Sequence, residues 1–261
     1  MTEQPGQPWK RVASTHVPLF DVSVTPLDRD QVVERILAAV RDRQQLVIGN
    51  LNLHGVYLRH TDAEFARYCE MCDLVLVDGA PIAAAARLPL SLRVGSTDWL
   101  DALLPRAQGL TILAIGSTAE SAARAQAHFR QRFPDVEWIG VDGYRSQSVD
   151  AHLRSLIARA NMVLVGMGMP LQEHWILRNF ELLRGKVLAN VGGCIDYYAG
   201  SQPLAPRWMG RIGLEWLFRF VANPRRLAHR YFVEPFLLGA ILIRNMRTRR
   251  KLRKLPRGSD R

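Results

Sequence analysis

The chain lacks the marks of several protein classes. Only three of its 261 residues are cysteine, too few for a disulfide framework in a chain of this size. Cys69 and Cys72 form a CxxC pair inside a helical pattern, but no second pair with zinc spacing accompanies it, and Cys194 stands alone. We therefore expect structural cysteines. The histidines show no metal spacing, and neither HExxH nor GxSxG occurs, so neither a metal nor a cofactor is expected.

Long apolar runs and a leader pattern are also absent. The longest apolar stretch near the C-terminus, 235–243, is far shorter than the roughly 20 residues that a membrane-spanning helix needs. The first nine residues are polar and lack the charged-then-apolar pattern of a secretory leader. The sequence therefore predicts a cytoplasmic protein that can lie on a membrane but not cross one.

Positive charge is concentrated at the C-terminal end. Residues 206–261 carry 15 Lys or Arg and 3 Asp or Glu, a balance of +12, whereas residues 1–205 have a balance of −1. Aromatic and aliphatic side chains interleave with these basic residues. An anionic membrane face attracts such a segment, since each basic side chain near it gains on the order of 1 kcal/mol and apolar groups add insertion energy. We expect peripheral attachment to the inner face of the cytoplasmic membrane.

Short β-rich runs alternate with helical patterns from residue 46 onward, as in parallel βαβ units. The predicted fold is α/β, with an open, mainly parallel Rossmann-like sheet, helices on both faces, and a basic amphipathic helical C-terminal appendage. We assign residues 1–205 to the α/β domain and 206–261 to the appendage. The predicted strands are Leu46–Gly49, Leu74–Val77, Leu110–Ile115, Val136–Val141, Met162–Val165 and Val187–Val191, and the helical stretches are 62–72, 80–88, 97–107, 119–131, 148–160 and 170–183.

Other local signals refine this plan. The run 17–24 is predicted to be a strand or hairpin, and 28–41 a helix. Ser117 and Glu120 predict a capping box at the helix that follows 110–115, and Pro170 suits the first turn of a later helix.

Ligands of such a sheet collect beyond the carboxyl ends of its strands, so the residues there are candidates for a site. Asn50 and Asn52 follow the first strand, and both carboxamides can bond sugar hydroxyls; loop-stabilising asparagines are an equally good interpretation. Asp78 follows the second strand and precedes Gly79, a position suited to a general base. From the residues alone, a helix N-cap is the commoner use of such an aspartate.

Two glycine turns follow later strands. Gly166 and Gly168 lead into a helix with Gln172 in its first turn, where backbone amides can cradle a phosphate or polar ligand. Gly192 and Gly193 precede Asp196, and close approach of a ligand or simple loop geometry both explain them. The pattern is not GxGxxG and gives weak support for a dinucleotide.

Six segments occur in a fixed order along the chain. They are Asn50-Leu51-Asn52, DLVLVDG at 73–79, Gly143-Tyr144, GMGMPLQEHWI at 166–176, VGGCIDYYAG at 191–200 and GLEWLFRFVANPRRLAHRY at 213–231. Over about Asn50 to Pro235 the chain thereby resembles the bacterial WecG/TagA/CpsF glycosyltransferases. The last segment is highly specific, and the set in this order leaves little room for chance.

The resemblance implies an inverting, metal-independent enzyme that moves a hexose or N-acetylhexosamine from a UDP-sugar to a polyprenyl (undecaprenyl) diphosphate-linked sugar in bacterial surface polysaccharide or exopolysaccharide synthesis. The family's proposed base falls on Asp78, and Asn52 and Gln172 are further catalytic candidates. The expected residues for the lipid diphosphate are Arg219, Arg226 and Arg230. The expected substrate-binding residues are Asn50, Arg93, Asp98, Gly116, Tyr144, Gly166, Gly168, Gly192, Gly193 and Asp196.

The sequence departs from the family's pattern at several positions. Asn50 replaces the usual threonine, Leu171 the lysine of PKQE, and Leu204 the arginine of RAP. His229 occupies one tail arginine position, and ERxxG(S/T)D is reduced to RVGSTD at 93–98. The N-acetylmannosamine preference of the best-known branch is therefore not carried over.

Two alternatives come from other classes. The basic run RTRRKLRK at 247–254 could neutralise nucleic-acid phosphates, but no recognition motif accompanies it and its neighbour is apolar. Nucleic acid is therefore not an expected partner. A nucleotide-sensing protein without turnover could share this fold, and the acid at position 78 favours an enzyme instead. The oligomeric state is left open, with a homo-oligomer as one option.

Overall fold

The computed structural model describes residues 13–206, 209 and 214–253, without the side chains of Arg226 and of 247–253. The strands are β1 (Thr15–Val17), β2 (Val22–Val24), β3 (Leu46–Leu51), β4 (Leu74–Val77), β5 (Thr111–Gly116), β6 (Glu137–Val141), β7 (Met162–Gly166) and β8 (Val187–Asn190). The α-helices of the body are α1 (Arg29–Arg41), α2 (Leu53–Thr61), α3 (Ala63–Met71), α4 (Ala80–Ala85), α5 (Ser96–Leu103), α6 (Ala119–Arg132), α7 (Ala151–Arg159), α8 (Leu171–Arg178) and α9 (Cys194–Tyr198). The tail adds α10 (Glu215–Ala222), α11 (Pro224–Ala228), a π-helical turn (His229–Val233) and α12 (Glu234–Arg253).

A six-stranded parallel sheet organises the body. Its strand order is β4-β3-β8-β7-β5-β6, while β1 and β2 form a separate antiparallel hairpin. The six predicted strands are therefore confirmed, and the run 17–24 is a hairpin, one of the two forms predicted for it. Because all six strands are parallel, their carboxyl ends lie along one edge of the sheet, which is the edge predicted to hold the site.

Helices cover both faces of the sheet. Successive strand residues point to opposite sides, so that Ile112 and Ala114 pack with α1, α5 and α6 while Leu113 and Ile115 pack with α7 and α8. Strands buried on both faces read as continuous apolar runs, which is why the sequence revealed them. The α/β class and the two-sided helical cover are confirmed.

The tail is part of the core and does not stand apart from the body. Leu238 and Leu242 of α12 are buried in a third cluster with Val17 and Val22 of the hairpin and Val56 of α2. The domain boundary after residue 205 remains a prediction. Among the described residues, no helix combines the length and the apolar content needed to cross a membrane.

Two local predictions need correction, and two helices, α2 and α9, were not predicted. Ser117 does not cap α6: its φ is +62°, and Thr118 is the N-cap, accepting a hydrogen bond from Ser121 N–H at 3.2 Å. Pro170 does not enter the first turn either, because it occupies the N-cap position and α8 begins at Leu171.

Candidate active site

A cleft of about 980 Å³ lies at the carboxyl ends of β3, β4, β7 and β8 and is closed on the opposite side by the tail. Most of the predicted site residues line it. These are Asn50, Asn52, Asp78, Arg93, Asp98, Gly168, Gln172, Gly192, Gly193, Arg219 and Arg230. A smaller neighbouring pocket of about 190 Å³ contains Tyr144, Gly166 and Asp196, and shares the glycine turns with the cleft.

Asp78 lies directly after β4 and is partly buried in this cleft. It is not a helix cap, because the N-cap of α4 is Gly79 and no side chain caps that helix. Among the described residues, nothing donates a hydrogen bond to its carboxylate. Burial raises the pKa of Asp78, while the charges of Arg219 and Arg93 oppose the rise. The carboxylate is thus available to take a proton.

Arg93 ties the cleft to the tail. Its Nη1 and Nη2 atoms donate to Glu215 Oε2 at 2.9 Å and Oε1 at 3.2 Å, a bidentate pair that crosses from body to tail. Asp98 has a local role, since its Oδ2 accepts a hydrogen bond from Gly95 N–H at 2.9 Å at the start of α5. A side chain at Gly95 would come within 3.1 Å of Asp78 Oδ1, so this glycine leaves room beside the carboxylate.

Two tail arginines face Asp78 across the cleft. The guanidinium of Arg219 lies 5.9 Å from the ring centroid of Tyr197, and Arg230 Nη2 donates to Asn52 Oδ1 at 3.2 Å. Burial lowers the pKa of Arg230, and the like charge of Arg219 lowers it further. Two partly dehydrated cations that line one cleft would be stabilised by an anion with several acceptor oxygens, such as a diphosphate.

The side chain of Arg226 lies outside the described residues, and its predicted role in binding the lipid diphosphate remains a prediction.

Asn52 is both a helix cap and a contact of the tail. Its Oδ1 accepts the hydrogen bond from Gly55 N–H at 3.1 Å that begins α2, in addition to the bond from Arg230. The structural interpretation of Asn52 is therefore correct, and the same oxygen also orients an arginine of the cleft.

Gln172 holds the two glycine turns together. Its side chain is buried, and Oε1 accepts hydrogen bonds from Gly168 N–H at 3.2 Å and Gly192 N–H at 3.1 Å. Its Nε2 donates to Glu173 Oε1 at 2.7 Å. Because both ends of this carboxamide are bonded within the protein, the geometry favours a positioning role for Gln172 over contact with the reacting atoms.

Glu173 continues this network to β3. Its Oε1 also accepts from Asn190 Nδ2 at 2.6 Å, and Asn190 Oδ1 in turn accepts from Asn50 N–H at 2.8 Å. Asn50 Nδ2 donates to Asn190 O at 2.6 Å, so the Asn50 side chain fastens the end of β3 to the end of β8. Glu173 is fully buried, and its Oε2 has no partner among the described residues. Burial raises the pKa of Glu173 to about 7, and the bonds from Asn190 and Gln172 oppose the rise.

This buried carboxyl makes stability depend on pH. Since its pKa lies near 7 in the folded protein and near 4.5 in its ordinary state, the folded protein keeps a proton that the unfolded chain releases. The free energy of unfolding should therefore fall as pH rises from about 4.5 to about 7. Glu173→Gln removes this titration. The free energy of unfolding of the variant minus that of the parent should therefore be about 3 kcal/mol larger at pH 8 than at pH 4.5.

Urea unfolding of both proteins across this pH range measures the difference. Glu70→Gln is the matched control, because Glu70 is exposed on the nearby helix α3 and its replacement removes a carboxylate outside the buried network. A difference for Glu173→Gln that is flat with pH would contradict the raised pKa of Glu173.

A second carboxylate from the tail reaches the body at α2. His54 Nδ1 lies 2.6 Å from Glu234 Oε2, and both side chains are largely buried. His229 Nδ1 lies 3.4 Å from the other oxygen of Glu234. Burial lowers the pKa of His54, as does the charge of Arg230, while Glu234 opposes the decrease. Together with the Arg93–Glu215 pair, this contact fixes the tail over the cleft.

The glycines at the strand ends serve close packing as well as the site. A Cβ on Gly116 would collide with the backbone of Gly166, and one on Gly143 would lie 2.6 Å from Gly116 Cα. Gly116 lines neither pocket, so its predicted contact with substrate receives no support from its position. Gly168 and Gly192 have φ values of +81° and +54°, which favour glycine at both turns.

In the smaller pocket, Asp196 accepts a hydrogen bond from Ser117 Oγ, and its other oxygen lies 3.5 Å from Gln202 Nε2. Tyr144 is exposed at the rim of this pocket. Both remain candidates for substrate contact.

Five residues of the site were not predicted from the sequence. Glu173 directly follows Gln172 in the matched segment, and Asn190 ends a predicted strand, so both had a signal in their positions. The contacts made by His54, Glu215 and Glu234 join segments more than 100 residues apart and left no such signal.

The sequence was compared with protein families and with known proteins. The model of the glycosyl transferase WecG/TagA/CpsF family matches residues 17–252. The chain belongs to this family. It is therefore a glycosyltransferase, as the six segments predicted. A protein of Staphylococcus aureus strain MRSA252 named N-acetylglucosaminyldiphosphoundecaprenol N-acetyl-beta-D-mannosaminyltransferase is 25% identical over 205 residues, covering 76% of this chain and 81% of the relative. Its counterpart in strain NCTC 8325 / PS 47 is 24% identical over the same length and coverage.

Proposed function

We propose that this family member transfers a hexose or N-acetylhexosamine, with inversion, from a UDP-sugar to an undecaprenyl diphosphate-linked sugar. The observation that carries the proposal is the arrangement of Asp78 opposite Arg219 and Arg230 in one cleft at the strand ends. The names of the S. aureus relatives describe transfer of N-acetylmannosamine to a sugar on diphosphoundecaprenol, which is the same class of acceptor.

In this mechanism, Asp78 removes the proton of the acceptor hydroxyl as its oxygen attacks the anomeric carbon. The bond between that carbon and the UDP oxygen breaks on the opposite side, so configuration inverts in a single displacement. The proton ends on Asp78 and the electron pair of the broken bond on UDP. Arg219 and Arg230 supply positive charge for a diphosphate.

We also propose that the tail attaches the enzyme peripherally to the inner face of the cytoplasmic membrane, where the lipid-linked acceptor lies. Among the described tail residues, Val221 and Phe236 are 71% and 78% exposed, and other large apolar side chains are exposed around them. Apolar surface next to basic residues matches an anionic membrane face better than it matches water.

A donor and acceptor panel tests the proposal. The protein is incubated with UDP-glucose, UDP-N-acetylglucosamine or UDP-N-acetylmannosamine and with undecaprenyl diphosphate monosaccharides, and the products are identified by mass. We expect one disaccharide-lipid to form with release of UDP, and NMR of the product should show inverted anomeric configuration. A product of retained configuration, or transfer only to a soluble acceptor, would contradict the proposal.

A further inference from the structure

A side cleft of about 270 Å³ opens from the main cleft between the body and the tail. Its polar and charged lining residues are all shared with the main cleft: Asn52, His54, Asp78, Arg93, Glu215, Arg219 and Arg230. The rest of its wall is largely apolar. The apolar wall consists of Leu53, Pro81, Trp216, Tyr231, Phe232 and Pro235. Neither the diphosphate chemistry nor the base needs these side chains, so the mechanism leaves them unexplained.

The apolar wall is held in place by contacts between rings of the tail. Trp216 and Tyr231 meet edge to face with centroids 5.8 Å apart, and Phe220 supports Phe232 at 5.1 Å. Trp216 and Phe232 are nevertheless 42% and 51% exposed. Two fixed aromatic side chains thus leave about half of their surface open beside a charged group of the active site.

The side cleft has two chemically different ends. Its inner end carries two arginines whose charges favour a diphosphate, and its outer wall offers aromatic and proline surface. A ligand that fits both ends carries a diphosphate joined directly to a hydrocarbon chain. A nucleotide diphosphate does not have this form, because its diphosphate is joined to a ribose, which is polar.

We propose that the side cleft binds the first isoprene units of the lipid-linked acceptor, with Trp216 and Phe232 contacting the chain and Arg219 and Arg230 the diphosphate. This inference rests on the proposed function and adds to it a site for the lipid. The hydrocarbon leaves the cleft at the exposed aromatic surface of the tail, so the chain can continue into a membrane while the sugar lies beside Asp78.

A binding experiment without turnover tests this site. Isothermal titration of the full chain compares geranylgeranyl diphosphate, below its micellar concentration, with inorganic diphosphate. We expect the prenyl compound to bind about ten- to a hundredfold more tightly, as for burial of two or three methylene groups. In Trp216→Ser/Phe232→Ser this preference should shrink to less than about threefold.

Phe236→Ser provides the matched control. Phe236 is 78% exposed on the same tail and does not line the side cleft, so its loss should weaken attachment to phosphatidylglycerol vesicles and keep the prenyl preference. Equal affinity of the parent for the two diphosphates would overturn the inference, as would an equal loss of preference in Phe236→Ser. Dihexanoyl phosphatidic acid distinguishes a prenyl site from a phospholipid site: tighter binding of this compound than of geranylgeranyl diphosphate would also overturn it.

A second measurement requires no variant. Crosslinking of the parent with a prenyl diphosphate that carries a photoreactive group near the diphosphate should label Trp216, Phe232 or Pro235, and labelling confined to Phe236 would contradict the site. These binding and crosslinking results distinguish failure of the lipid site from failure of the proposed function. A parent that shows the prenyl preference and crosslinks but transfers no sugar would refute the function and retain the site, and a parent that transfers sugar without the preference would refute the site alone.

Discussion

Replacement of Asp78 by Asn should lower turnover about 100- to 10,000-fold and leave the fold intact. The side chain keeps its shape but can no longer accept the proton of the attacking hydroxyl. Because Asp78 caps no helix and receives no hydrogen bond among the described residues, little native structure depends on its charge. Steady-state rates with the lipid-linked acceptor measure the loss.

The pH profile provides a second sign of the same role. A base must be ionised to act, so parental turnover should rise with pH through the ionisation of Asp78. Burial raises the pKa of this group, which places that limb above the range of an ordinary aspartate. The limb should be absent from the residual activity of Asp78→Asn.

Thermal unfolding of parent and variant is the necessary control, because a variant that does not fold reports nothing about chemistry. If a folded Asp78→Asn kept near-parental turnover with an unchanged pH profile, the base would have to be another residue. Asp98 in the same cleft and Asp196 in the neighbouring pocket would then be the next candidates.

The sheet could be predicted because its strands are buried on both faces. Such strands read as short apolar runs, and the glycines and polar residues that follow them mark their ends. The helix α2 was missed because it begins immediately after β3, at the residues that were interpreted as a strand end. The helix starts at the cap supplied by Asn52, and Gly55 in its first turn packs closely against Leu51. Hydrophobic periodicity does not reveal either contact.

The structure brings most of the predicted site residues to one cleft and adds contacts that the sequence did not predict. Asp78 was predicted from its position at a strand end, and Arg219 and Arg230 from the resemblance of the tail segment, and they remain predictions of a site. The roles of Asn50 and Gln172 could not be read from the sequence, since the same amide side chain can either face a ligand or form a hydrogen bond to a neighbouring residue. Their hydrogen bonds to Asn190 and Glu173 show that both side chains hold neighbouring segments of the site in place.

Ser117 shows the same limit at a helix start. A serine followed three residues later by a glutamate is typical of a capping box, and Glu120 is present. In the structure α6 begins at Ala119, one residue later than such a cap requires, and Ser117 donates its hydroxyl hydrogen to Asp196 instead. A tertiary contact with a partner 79 residues away thus replaces the local one.

Arg219→Gln/Arg230→Gln should lower kcat/KM for the lipid-linked acceptor at least about 100-fold, since each hydrogen bond to a charged group such as its diphosphate typically contributes about 1.5–3 kcal/mol. Attachment to anionic vesicles should fall much less, because the basic residues of 247–254 remain in the chain.

The pH profile of the double variant should also change. Arg219 opposes the rise in the pKa of Asp78, so its loss should move the rising limb of turnover to higher pH. Arg225→Gln removes an exposed charge from the same segment, outside the cleft lining, and should leave kcat/KM unchanged. A parental kcat/KM for the acceptor in the double variant, or a loss matched by Arg225→Gln, would show that these arginines act only as surface charge.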